Sequence, residues 1–433
     1  MQAMRISVPV ALQAMLQSSF SIVDQMMVGQ LGSTQIAAVE IGGKPGFIFS
    51  FVSGAVATVT GIMVSQYMGR DEEDAVSGSM SVNLCAMLVV AAVTSLLCLA
   101  IPASLAALFT ADAAVVAEAT GYIRLVAPIF PMSGVASVLA VELRCRDHAG
   151  YPLYISVAAV AVNTLLNRLL IFGGAGLPAL GVKGAAMASV ASQLVQLGLM
   201  VAVYGRLCRF RFRPAIGKSA FRQYMAMLLP IVANEFLWTV GQGVNTGIYG
   251  HMGTAELAGM ALTGPVQGLM IGALSGLSQA AGILIGKQLG QGNYDTAYRQ
   301  SVKLCGYGLA GSLALSALLI ALRGFYVGFF RVESQVRDIG AGLLLIFAVL
   351  APVKVQNMIL GGGVIRSGGK TRYIMVIDML GTWLVGVPLG LLTGVALKLP
   401  IGWVYFILSQ EELFRLVLSI AMFRSRKWMN TIE

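Results

Sequence analysis

Apolar residues along this chain gather into twelve runs, each close to the ~20 residues that a helix needs to cross a bilayer. They fall at 6–28, 43–67, 81–101, 121–143, 153–173, 184–205, 224–248, 262–286, 302–322, 338–361, 373–396 and 400–423. Short polar or basic stretches separate them. In hydrocarbon a helix satisfies every backbone N–H and C=O within one segment, so the pattern predicts an all-α, polytopic membrane protein with twelve transmembrane helices. The first run passes Asp24 and reaches Gly29 without a small-residue cleavage site. It is expected to stay as the first span, with no signal peptide.

The runs also repeat. Pro9 to Met80 has a partner 221 positions on, in register and without a gap: Pro9 pairs with Pro230, Gly29 with Gly250, Gly32 with Gly253, Gly61 with Gly282 and Gly69 with Gly290. The expected organisation is two pseudo-symmetric six-helix lobes, residues 1–208 and 223–428, joined by a basic cytoplasmic linker at 209–222. A duplicated, very apolar chain is a common plan for membrane transporters, with a substrate cavity between two halves.

Composition agrees, with 57% hydrophobic and 11% charged residues against about 25% charged in soluble domains. Nineteen Lys and Arg fall in the loops and tails on the side of the N-terminus and seven on the other side. The basic excess marks the cytoplasmic side, so both termini are expected in the cytoplasm of a multi-pass protein of the plasma membrane, the inner membrane of a bacterial cell. It also accounts for the net charge of +10 through contact with anionic headgroups rather than nucleic acid. Cys85, Cys98, Cys145, Cys208 and Cys305 show no zinc-like spacing and are expected to be reduced. His148 and His251 are solitary, and a loop or core role outweighs metal binding at either.

Neither a GxxxxGK[ST] phosphate loop nor a GxSxG elbow is present. The chain is therefore expected not to be an enzyme, to hold no ATPase domain and no cofactor, and to draw its work from an ion gradient. Candidate chemistry then rests on ionisable groups inside the runs, which are costly in a bilayer unless they face a partner or a cavity. These are Asp24, Glu142, Arg168, Glu235, Lys354, Asp378, Glu411, Glu412 and Arg415. Asp24 lies about two thirds along the first run, with Gln13 and Gln17 on nearby faces. A carboxylate there carries a proton or ligates a cation, and the plainer reading is a helix-end Asp near the headgroups. Asn245 stands at its counterpart in the second half, so the halves are not chemically equivalent and the ion site is expected in the first. Glu411, Glu412 and Arg415 read as ion pairs within one helix, and Arg168 as a side chain snorkelling outward.

Several segments resemble the multidrug and toxic compound extrusion (MATE) transporters. They are "SIVDQMMVGQLG", "GIMVSQYMGRDEEDA", "NTLLNRLLIFGGAGLPALGVKGAAMASVASQ" and the second-half counterparts "GILIGKQLGQGNYDTAY" and "VIRSGGKTRY". Their order and repetition over nearly the whole chain carry the likeness. The resemblance implies two six-helix bundles facing each other across a cleft. It also implies a first-lobe cation site at Asp24, Asn163 and Ser189, with Asn167 where many members carry a second acid. Asn163 and Asn167 are one turn apart on one face, so the geometry is kept while one negative charge is lost. The plainer use of such amides is interhelical hydrogen bonding. Na+ at Asp24, Asn163 and Asn167 is the one metal ion implied.

Glu235 resembles a glutamate of one bacterial branch, and with Asp378, Gln13 and Gln17 it is expected to face the cleft. In the inner loop "RCRDHAGYP", Asp147 replaces an expected glycine, which predicts a conformation different from that of the second-half "RSGGKTRY", where Gly369 is kept. Twenty-two Met and aromatics such as Phe20, Phe47, Phe51, Trp238 and Tyr249 suit a cavity for varied apolar cations, although core packing is the favoured reading for most of them. The function expected is antiport of organic cations or other amphipathic small molecules against Na+ or H+ by alternating access. A flippase for lipid-linked precursors would need several intramembrane Arg or Lys. An ion-translocating subunit of a membrane complex would need a relay of Lys/Glu pairs.

Overall fold

A computed structural model of the chain describes residues 2–174, 176, 178–208, 211–212, 218–330 and 332–432, with the backbone alone at 2, 18, 20–23 and 218–220. The expected linker at 209, 210 and 213–217, the basic residue Arg331 and the side chain of Phe20 lie outside the described residues. The helices in order are α1 (Gln2–Gly29), α2 (Ser33–Gly42), α3 (Lys44–Gly69), α4 (Glu73–Ala100), α5 (Pro102–Ala107), α6 (Ala113–Val126), α7 (Ile129–Cys145), α8 (Gly150–Phe172), α9 (Val182–Leu207), α10 (Lys218–Met252), α11 (Thr254–Gly290), α12 (Tyr294–Gly328), α13 (Ser334–Asn357), α14 (Thr371–Met379), α15 (Val387–Gly390), α16 (Ile401–Leu408) and α17 (Gln410–Arg424). Wider π-helical turns occupy Met358–Ile365, Leu380–Gly386 and Leu391–Ala396 and keep the tenth and eleventh spans continuous.

The all-helical, membrane-spanning class is as the apolar runs require. Among the described residues nine helical runs are long and apolar enough to cross a membrane, and α6 with α7, bent by 45°, form a tenth. The bend falls at Ala127 and Pro128, where the ring of proline cannot continue the ladder of the preceding turn. α1 and the α16–α17 run stand at the first and last predicted spans and are consistent with twelve. The last run is broken at Ser409 and carries Glu411, Glu412 and Arg415, which explains its weaker apolar signal. Leu88, Val89, Val93, Leu96 and Leu97 on α4, and Leu309, Leu313, Leu318 and Ile320 on α12, are exposed, the placement that a lipid solvent favours.

The chain packs as two units. One comprises Leu12–Val64 and Glu72–Lys218; the other comprises Met1–Ala11, Ser65–Asp71 and Ser219–Glu433. Two short segments of the first half thus pack with the second half, and glycine is the reason. A Cβ on Gly276 of α11 would strike the Ser7 carbonyl, and one on Gly290 would strike the Gln66 carbonyl. A Cβ on Gly69, the repeat partner of Gly290, would likewise strike the Lys287 carbonyl. The helices therefore cross backbone to backbone at a repeated glycine. Beside this crossing the fully buried Gln66 donates to the Ser367 carbonyl at 2.6 Å and accepts from the Ile432 amide at 2.7 Å.

The inner loop after α7 corrects an expectation. Asp147 itself adopts a left-handed backbone, φ 63°, close to the 75° of Gly369 in the second-half loop. Asp71 at 59° and its repeat partner Gly292 at 74° form a second such pair. Aspartate tolerates this region better than most residues, because its short polar side chain bonds locally, so the turn survives loss of the glycine.

Candidate functional site

Three helices of the first unit build the site around Asp24. Asn163 and Asn167 occupy one face of α8 and are 3% and 0% exposed, since that face packs against α9 and α1. Asn167 Nδ2 donates to Asp24 Oδ1 at 2.6 Å and to Asn163 Oδ1 at 2.7 Å. Asn163 Nδ2 donates in turn to Ser192 Oγ at 3.1 Å and to Ser189 Oγ at 3.4 Å. The structure thus brings together Asp24, Asn163, Asn167 and Ser189. It adds Ser192, one turn beyond Ser189 on the same face of α9, which the serine spacing alone could have indicated.

Asp24 is half-buried and lines a cavity of about 690 Å³ with Gln25, Glu40, Lys44, Phe47 and Tyr122. Glu40 and Lys44 are paired at 2.6 Å. The carboxylate is therefore reachable from the cavity, while the amides behind it are sealed from water. Asn167 Oδ1 has no hydrogen-bond partner despite its burial. An unpartnered carbonyl oxygen on the residue that bonds the Asp24 carboxylate, with the serine hydroxyls one amide further on, gives a set of oxygen donors, the type that suits a hard cation. Tyr122 was not singled out from the sequence, because α6 carries no polar motif near it.

Other candidates are placed differently. Gln13 is buried and held on both sides, donating to Ser156 Oγ at 2.8 Å and accepting from Arg144 Nη2 at 2.9 Å. Gln17 is exposed, as is Arg168 beside Met27 and Phe172. Glu142 is 2% exposed and takes Arg146 Nε at 2.8 Å and the Tyr204 hydroxyl at 2.5 Å, while Arg146 also grips Glu73 at 2.6 Å. This is a structural anchor. Glu142→Leu leaves the Tyr204 hydroxyl without its acceptor and is expected to cost about 2–3 kcal/mol, read as a lower melting temperature of the purified protein.

In the second unit a cavity of about 410 Å³ is lined by Asn234, Glu235, Trp238, Arg366, Asp378 and Arg415, among others. Asp378 accepts from Arg415 Nη2 at 2.5 Å and from Asn234 Nδ2 at 2.9 Å, and Glu235 faces Arg366 at 3.9 Å. Arg415 also reaches Glu412 within its own helix at 3.5 Å, and Lys354 lies 3.8 Å from Glu412. The expected in-helix pair exists for Glu412, but the tighter partner of Arg415 is on another helix. Phe47 and Trp238 are 56% and 42% exposed and line cavities, so they are not core, while the buried Tyr249 lines a third cavity.

Apolar spans, a duplicated helical plan and charged groups gathered at internal cavities define a membrane transporter. A model of the MatE family matches residues 9–169 and again 230–392, so the two matches begin at the repeat-paired prolines. The chain belongs to this family, the MATE transporters, and is not an enzyme. It is 29% identical over 407 residues to the "Probable multidrug resistance protein NorM" of Rhizobium meliloti, covering 89% of this chain and 84% of that protein. It is 21% identical to the "Uncharacterized transporter YisQ" of Bacillus subtilis, covering 97% and 93%. Among solved structures, an outward-facing multidrug resistance MATE transporter of the MOP superfamily superposes with a TM-score of 0.89 at 16% identity, covering 98% of this chain and 95% of that one. That likeness speaks to the fold alone.

Proposed function

We propose that the protein is a secondary antiporter that exports organic cations or other amphipathic small molecules across the plasma membrane as Na+ or H+ enters, by alternating access. The observation that carries this reading is the Asp24 carboxylate, open to a cavity on one side and bonded to the buried Asn167 on the other. A group so placed can exchange a cation with solvent while the protein behind it senses the change in charge. The names of NorM-type relatives as multidrug resistance proteins support small-molecule export. The basic excess on one side supports cytoplasmic termini. A flippase for lipid-linked precursors has less support, because Lys354 and Arg415 inside the spans are already paired with Glu412 and Asp378.

The test is export of a fluorescent organic cation from proteoliposomes under a Na+ gradient and a pH gradient imposed separately. Export under at least one gradient is expected; none under either contradicts the antiport reading for that compound. Asn167→Asp places a second carboxylate beside Asp24 and is expected to lower the Na+ concentration for half-maximal export by about tenfold, one unit of log affinity being 1.4 kcal/mol. An unchanged Na+ dependence would mean that Asn167 does not face the coupling ion.

A further inference from the structure

The repeat partner of Asp24 is Asn245, and the second half therefore lacks the carboxylate on which the first half is built. The structure supplies one from elsewhere. Asn245 on α10 and Glu411 on α17 line a single cavity of about 230 Å³. They are 3% and 5% exposed, and Asn245 Oδ1 and Glu411 Oε2 each lack a hydrogen-bond partner. Two buried residues that line one cavity, each with an acceptor oxygen that no donor reaches, call for something positively charged or protonated beside them. Water alone can fill the volume, at about 30 Å³ per molecule, yet it leaves the charge of Glu411 uncompensated.

The surrounding charges make that deficit specific. Glu411 interacts with Glu412 and Arg415 of its own helix, Lys354 of α13, Asp378 of α14 and Tyr249 of α10, and Tyr405 of α16 lines the same cavity. Arg415 is bonded to Asp378 and reaches Glu412, which also takes Lys354 and Asn357 Nδ2 at 2.8 Å. Two bases thus serve Glu412 and Asp378, leaving Glu411 as the excess negative charge. Space around it is kept by Gly386 of the π-helical turn Leu380–Gly386, where a Cβ would run into Glu411 Oε2.

We infer that Asn245 and Glu411 form a second monovalent-cation site in the second half, taking Na+ or a proton, built on a carboxylate donated by the last helix. A proton on Glu411 turns one acceptor into a donor; Na+ uses both as ligands. The site does not depend on the role of Asp24, and its test is run in a background without that carboxylate.

Infrared difference spectra of the full-length protein in lipid, recorded for a NaCl step at constant pH and for a pH step without Na+, would follow the carboxyl groups. Asp24→Asn is expected to retain a cation-responsive carboxyl band that Asp24→Asn/Glu411→Gln loses. Response to the NaCl step makes Na+ the occupant, and response to pH alone makes it a proton. If the band is absent from Asp24→Asn, or unchanged by Glu411→Gln, the second site does not exist. Should the double variant fail to fold, Asn245→Asp decides. A second carboxylate at the same cavity should shift the midpoint of the Glu411 band by about one pH unit or more, and an unmoved midpoint overturns the site.

Discussion

Asp24→Asn is expected to reduce gradient-driven export to the level of protein-free vesicles while leaving the protein folded in the membrane. Asparagine keeps the shape of aspartate and can still accept the 2.6 Å hydrogen bond from Asn167, so packing around α1 and α8 is retained. The net charge at the cavity wall is lost, and with it the difference between the ion-loaded and the empty state. A ligand without differential affinity for two states cannot drive the change between them. Export by reconstituted Asp24→Asn protein, normalised to its yield by size-exclusion chromatography, checks this; export at the wild-type rate would remove Asp24 from the coupling step.

The second large effect is on stability. Arg415→Leu is expected to cost about 3–5 kcal/mol, because it strips both Asp378 and Glu412 of their closest guanidinium and leaves Lys354 alone to balance three acids. Arg415→Lys keeps the charge but cannot span Asp378 and Glu412 with one planar fork, so an intermediate loss is expected. Thermal unfolding of the purified variants measures both. A melting temperature for Arg415→Leu equal to wild type would show that the network is not part of the folded-state energy.

Much of this was legible in the chain. Length and apolar content settle the spans, because the bilayer leaves helices as the way to satisfy the backbone, and the paired glycines at 69 and 290 expose the duplication before any coordinates. The Asp24 cluster is legible through the resemblance to the MATE transporters, and the helical spacing of Asn163 and Asn167 adds only that these two amides share a face. What stayed hidden depends on which helices meet. Tyr122 and Ser192 join the site through packing of α6 and α9, and Arg415 turns out to serve Asp378 on another helix. The left-handed Asp147 departs from expectation because aspartate suffices at a turn where glycine is the usual residue. The spacing of Glu411 and Arg415 suggests a local ion pair, and the unbonded Glu411 Oε2 becomes visible once α10 and α17 are placed at one cavity.

The most direct measurement of the central claim is counter-movement of ion and substrate in the same vesicles. Proteoliposomes loaded with an organic cation and held without any imposed ion gradient should take up 22Na+, or move protons inward against a pH-sensitive dye, as the compound leaves. The account predicts ion entry that tracks substrate efflux in wild type and vanishes in Asp24→Asn. Substrate efflux with no ion entry of either kind would contradict it.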